Sequence, residues 1–107
     1  MDYLHTKETK ELFKTILSLK TEEEARRFLR DLLTEAEIKE FANRWKVVRM
    51  LDKKISYETI TKETGMSSTT IARIAKWLNG TLGGYRLMLK RINTSKKVTH
   101  HAPSLAV

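Results

Sequence analysis

Four consecutive hydroxyl residues, Ser67-Ser68-Thr69-Thr70, are followed at helical spacing by Ala72, Arg73 and Lys76. Hydroxyls can donate to or accept from base edges and phosphates, the methyl of alanine or threonine can touch the thymine methyl, and lysine or arginine neutralises phosphate. Side chains this short let a helix approach its partner closely, and the helix N-terminus itself favours a phosphate. The chemistry these residue types allow is the non-covalent reading of a groove in double-stranded DNA. One serine, Ser67, accounts for a helix cap. It does not account for three more small polar residues followed by an apolar stripe with a polar back. Lys53, Lys54, Tyr57 and Lys62 lie close enough in sequence to act on the DNA backbone around that contact.

Other candidate chemistry is weaker. His100-His101 has no acidic neighbour and no further ligand at metal-binding spacing. Glu22-Glu23-Glu24 sits where a capping box and a helix dipole explain acidic residues. Gly80-Thr81-Leu82-Gly83-Gly84 lacks the lysine, the hydroxyl and the preceding strand of a phosphate loop. No nucleophile stands beside a base, so the chain is not expected to be an enzyme or to need a cofactor or metal.

The elements that must hold these residues read as helices throughout. A first helix is expected over about Asp2–Leu19, with Leu12, Phe13, Ile16 and Leu17 as its stripe. Thr21 with Glu24 opens a second, carrying Ala25, Phe28, Leu29, Leu32 and Leu33. Thr34 with Glu37 opens a third to about Leu51, whose inward face is read as Ile38, Phe41, Ala42, Trp45, Val48 and Leu51. Ser56 caps a short helix that Gly65 ends, and Ser67 caps the next, stopped at Asn79-Gly80. A last helix spans Tyr85 to Ile92. Residues 1–92 thus read as one all-helical domain with a helix-turn-helix over about 56–79, and 93–107 as a basic, mobile tail.

The 107 residues carry a net charge of +8, unevenly placed: residues 1–43 hold 8 Lys/Arg and 10 Asp/Glu, residues 44–107 hold 13 and 3. A basic half beside a neutral-to-acidic half points to a polyanionic partner. A chain this short buries only about 60–65% of its unfolded surface, which favours association between copies. With no cysteine, no export signal and no membrane-length apolar run, a cytoplasmic setting is expected.

Between Leu32 and Leu78 the residues resemble the Trp-repressor-like helix-turn-helix family. The resemblance rests on Leu33-Thr34 with its acidic cap, on Asn43-Arg44-Trp45-Lys46-Val47-Val48, and on the Gly65 turn followed by Thr69-Thr70-Ile71-Ala72-Arg73. It implies an intertwined homodimer in a bacterial cell, nucleoid-associated when bound, presenting two recognition helices one DNA turn apart. It also implies a corepressor pocket in which two arginines hold free tryptophan. Arg44 and Arg73 stand at those positions, and Leu33 and Thr34 match pocket residues supplied by the partner chain. Asp31, Ile74 and Trp77 depart from the pattern, the last two replacing a glycine and a small serine. Bulk there costs roughly 1–3 kcal/mol of overpacking for any ligand. Trp77, stacked on Arg73, is expected to fill that space instead.

The reading that follows is a homodimeric, sequence-specific regulator of transcription, a repressor by family resemblance, that binds duplex DNA without tryptophan as corepressor; the resemblance indicates a branch other than the tryptophan sensor. An RNA-binding module and a protein–protein adaptor of the transcription or replication machinery are the alternatives.

Overall fold

A computed structural model of the chain describes residues 2–101, with side chains as far as residue 95. It contains six helices: α1 (Lys7–Leu17), α2 (Glu22–Leu32), α3 (Glu35–Asp52), α4 (Tyr57–Thr64), α5 (Ser68–Leu78) and α6 (Gly84–His101). Among the described residues there is no strand, so the all-α class holds. The chain divides into two compact units, residues 1–40 and 41–107, the boundary falling inside α3.

Helix starts follow the hydroxyl residues. The side chain of Thr21 accepts from the Glu24 N–H at 3.0 Å, and that of Thr34 from the Glu37 N–H at 3.1 Å. At Thr34 the box closes, because its own N–H donates to Glu37 Oε1 at 2.9 Å. At Thr21 it closes one residue early: Glu24 Oε1 accepts from the Lys20 N–H. The first helix is shorter than its periodicity suggested. Thr6 is its N-cap and Ser18 its C-cap, so residues 2–5 and Leu19 lie outside it.

In the first unit, α1 and α2 have no buried residue. Their apolar stripes exist in sequence, but Phe13, Ile16, Leu17 and Leu32 remain exposed.

The core belongs to the second unit. It comprises Val47, Val48 and Met50 of α3, Ile60 of α4, Ile71, Ile74 and Leu78 of α5, and Leu89 of α6, with Trp45, Leu51, Ile55, Met66 and Tyr85 packed partly against them. This corrects the expected inward face of α3. Phe41 is 47% exposed and Ala42 is exposed, while Val47 and Met50, outside the expected stripe, are buried. The second half of α3 is apolar on more than one side, so period alone admits several stripes. Packing with α4 and α5 selects one.

The last helix also differs. It continues past Ile92 to His101, so residues 93–101 of the expected tail are helical. No glycine or proline interrupts that stretch, and a helix anchored at Leu89 propagates without needing further apolar surface. Residues 102–107, and the side chains of His100 and His101, lie outside the described residues.

Candidate nucleic-acid interface

The site is built from α4, α5 and the turn between them. Ser56 caps α4 by accepting from the Thr59 N–H at 3.2 Å. Gly65 ends it with φ 75°, its N–H donating to the Thr61 carbonyl. That left-handed conformation suits glycine because no Cβ meets the following carbonyl. The turn is then fastened twice. Thr64 Oγ1 donates to the Ile60 carbonyl at 2.7 Å and accepts from the Met66 N–H at 3.2 Å. Asn43 Nδ2, from α3, donates to the Thr64 carbonyl at 3.0 Å. Asn43 therefore pins the turn to the long helix. The sequence marks Asn43 as part of the resemblance but not as a partner of this turn.

Next, Ser67 caps α5 by accepting from the Thr70 N–H at 3.2 Å. Ser67 Oγ and Thr70 Oγ1 also bond to each other at 3.0 Å, so two of the four hydroxyls are occupied locally. Ser68 and Thr69 point outward with Ala72, Arg73 and Lys76, all exposed, whereas Ile71, Ile74 and Leu78 are buried on the opposite side. One helix thus has a wholly apolar back and a front of short polar residues and cations. Lys53, Lys54, Tyr57 and Lys62 are likewise exposed.

At the far end of α5, Asn79 Nδ2 donates to the Ala75 carbonyl at 2.9 Å. The Asn79 Oδ1 accepts from Arg86 Nη2 at 2.9 Å, and Arg86 Nη1 lies 3.9 Å from Asp52 Oδ1. Arg86 therefore spans the ends of α5 and α3. This role was not evident from the sequence, since α6 is separated from both partners by loops.

Residues expected at a corepressor pocket have different settings. Ile74 is fully buried, as bulk at that position requires. Trp77 is not: it is 48% exposed. A cation–π contact forms at Arg44, whose guanidinium lies 5.8 Å from the Phe41 ring centroid. Trp77 forms one wall of an open cavity of about 670 Å³, with Trp45, Leu82, Tyr85 and Met88 among its other walls. Trp45 and Tyr85 meet there at 6.2 Å between ring centroids. In the single chain Trp77 thus presents one face to an open cavity. Leu33 and Thr34 belong to the first unit, as the C-cap of α2 and the capping box of α3.

Two short helices joined through a left-handed glycine, the second apolar behind and polar in front, have the outline of a helix-turn-helix. The comparison with known proteins is more specific. The family described as Trp repressor protein matches residues 7–93, and the chain belongs to that family, one of regulators and not of enzymes. The match extends beyond the Leu32–Leu78 stretch that carries the sequence resemblance and takes in α1 and α2. Over 96 residues the chain is 42% identical to the uncharacterized protein YerC of Bacillus subtilis, covering 90% of this chain and 92% of that one. A TrpR-like protein from Eubacterium eligens has a solved structure with TM-score 0.81 at 36% identity, covering 87% of this chain and 96% of that one. A second solved chain, from Staphylococcus aureus, gives TM-score 0.79 at 35% identity over 86% and 92%. The second of these structures is described as that of a putative Trp repressor, and the Bacillus relative as uncharacterized.

Proposed function

We propose that the protein is a sequence-specific regulator of transcription, a repressor, that binds duplex DNA as a homodimer by placing α5 in the major groove. The observation that supports this most is the two-sidedness of α5. Its back is spent on the core, while Ser68, Thr69, Ala72, Arg73 and Lys76 are all exposed together. A groove about 12 Å wide admits one helix, and short side chains at its N-terminal end let bases be reached. Lys53, Lys54, Tyr57 and Lys62 supply backbone contacts in this reading. Ser67 and Thr70 hold the helix start in shape and leave Ser68 and Thr69 to the DNA.

Selection of bound sequences from random duplex DNA tests the proposal. A short two-fold-symmetric site, with half-sites one turn apart, is expected. Affinity for it should fall with salt at a slope of about −0.9 per phosphate neutralised. Equal binding to structured RNA, or duplex binding with no sequence preference, would reject it.

Free tryptophan is not the corepressor in this reading. Ile74 occupies the core at a position where the resemblance implies a glycine. Calorimetric titration with L-tryptophan should give no micromolar binding, and the DNA affinity should be unchanged by the amino acid.

A further inference from the structure

Lys54 is the one non-glycine residue, among those described, with a left-handed backbone, φ 62°. It follows α3, whose end is closed by a pair of hydrogen bonds. The Lys54 N–H donates to the Leu51 carbonyl at 3.0 Å, and the Ile55 N–H to the Met50 carbonyl at 3.1 Å. Such a closure requires a left-handed residue after the cap, most often glycine and sometimes asparagine, because a Cβ there crowds the following carbonyl. The chain uses glycine at its other left-handed positions, Gly65 and Gly83. Packing gives no reason for lysine. The residue is exposed, and its ammonium has no ion pair or hydrogen bond among the described residues. Strain of this kind persists where the side chain has a task. Lys54 stands two residues before Ser56, the cap of α4, at the entry to the helix-turn-helix.

We infer that Lys54 keeps its left-handed conformation because its ammonium contacts a DNA phosphate beside the groove that α5 enters. The inference rests on the DNA-binding reading and deepens it. It separates Lys54 from Lys53, Lys62 and Lys76, whose backbones need no such conformation. The turn that carries Lys54 is tied to α3 on both sides of its Cα. Its Cα–Cβ bond therefore leaves a hydrogen-bonded base, and only side-chain freedom is lost when the phosphate is met. Stability of the turn is given up for one placed cation.

The test uses the full chain, the duplex recovered by selection, and the variants Lys54→Gly, Lys54→Asn and Lys54→Arg. Lys54→Gly relieves the backbone and should raise the melting temperature, by about 4 °C. Its affinity should nevertheless fall about eight-fold at 0.1 M monovalent salt, and the slope of log K against log salt should become shallower by about 0.9, the share of a single phosphate. Lys54→Asn should behave as the glycine variant does, while Lys54→Arg keeps the wild-type slope and melting temperature. An unchanged salt slope in Lys54→Gly would overturn the phosphate contact, and an unchanged melting temperature would overturn the strain. If the wild type itself shows no salt-dependent duplex binding, the DNA reading has failed. If the wild type is salt-sensitive and Lys54→Gly matches it, Lys54 alone has been misassigned.

Discussion

Thr69 and Ala72 are the residues where size alone tests how closely α5 approaches its partner. Both are exposed, so a larger side chain costs the fold little. Against DNA, Thr69→Glu or Ala72→Glu would bring bulk and a negative charge to the groove. Binding to the selected site should drop on the order of 100-fold, equivalent to about 2.7 kcal/mol, with the helical circular dichroism spectrum unchanged. Unaltered affinity would show that another surface makes the contact. Asn43 makes the opposite case, a residue whose loss acts through the fold. Asn43→Ala leaves the partly buried Thr64 carbonyl without its donor. That should destabilise the chain by about 1–3 kcal/mol in chemical denaturation. Weaker DNA binding is expected alongside, because the turn that orients α5 is loosened. Arg86 belongs with Asn43, holding the other end of α5 through Asn79.

Among the elements, the turn at Gly65 separates conformational cost from packing cost. Nothing lies within 4 Å of the position a Cβ would take there, and φ is 75°. Gly65→Ala should therefore cost about 1–2 kcal/mol, all of it from the left-handed backbone. Gly65→Asn, better suited to that conformation, should recover part of the loss in thermal melts. Equal losses for both variants would mean that something outside the chain packs on the turn. Features that depend on a few neighbouring residues were legible in the sequence: the caps at Thr21, Thr34, Ser56 and Ser67, and the glycine at the turn. So was the division of α5, since Ile71, Ile74 and Leu78 can only lie on one side of a helix. The inward face of α3 was not legible. Val47 and Met50 are as apolar as Trp45 and Phe41, and which of them is buried depends on where α4 and α5 pack. Nor was the length of α6, because residues 93–101 carry little apolar surface at helical spacing. The links made by Asn43 and Arg86 were equally hidden, because each joins elements that the sequence does not place together.

For the whole molecule, the decisive contrast lies between the two units. Residues 41–107 contain every fully buried side chain among the described residues, whereas α1 and α2 contain none. Two amphipathic helices that leave Phe13, Ile16, Leu17 and Leu32 in water gain little from hydrophobic burial, at roughly 25 cal/mol per Å² covered. Leu17, 83% exposed, gains almost nothing within its own chain. A second copy that covers these residues would supply the missing burial, and this is the physical case for the proposed homodimer. It yields a prediction with two independent readings. Wild-type protein should sediment as a dimer, with a melting temperature that rises with protein concentration, because association stabilises the folded state by mass action. Phe13→Glu combined with Leu17→Glu alters positions that are exposed in a single chain, so a monomer would tolerate both changes. In a dimer they would place charges in an apolar interface. The double variant should then sediment at monomer mass, lose the concentration dependence, and bind the two-fold site with an affinity close to that of a single half-site. Dimer mass in the variant would put the contact elsewhere, and monomer mass for the wild type at every concentration would remove the homodimer.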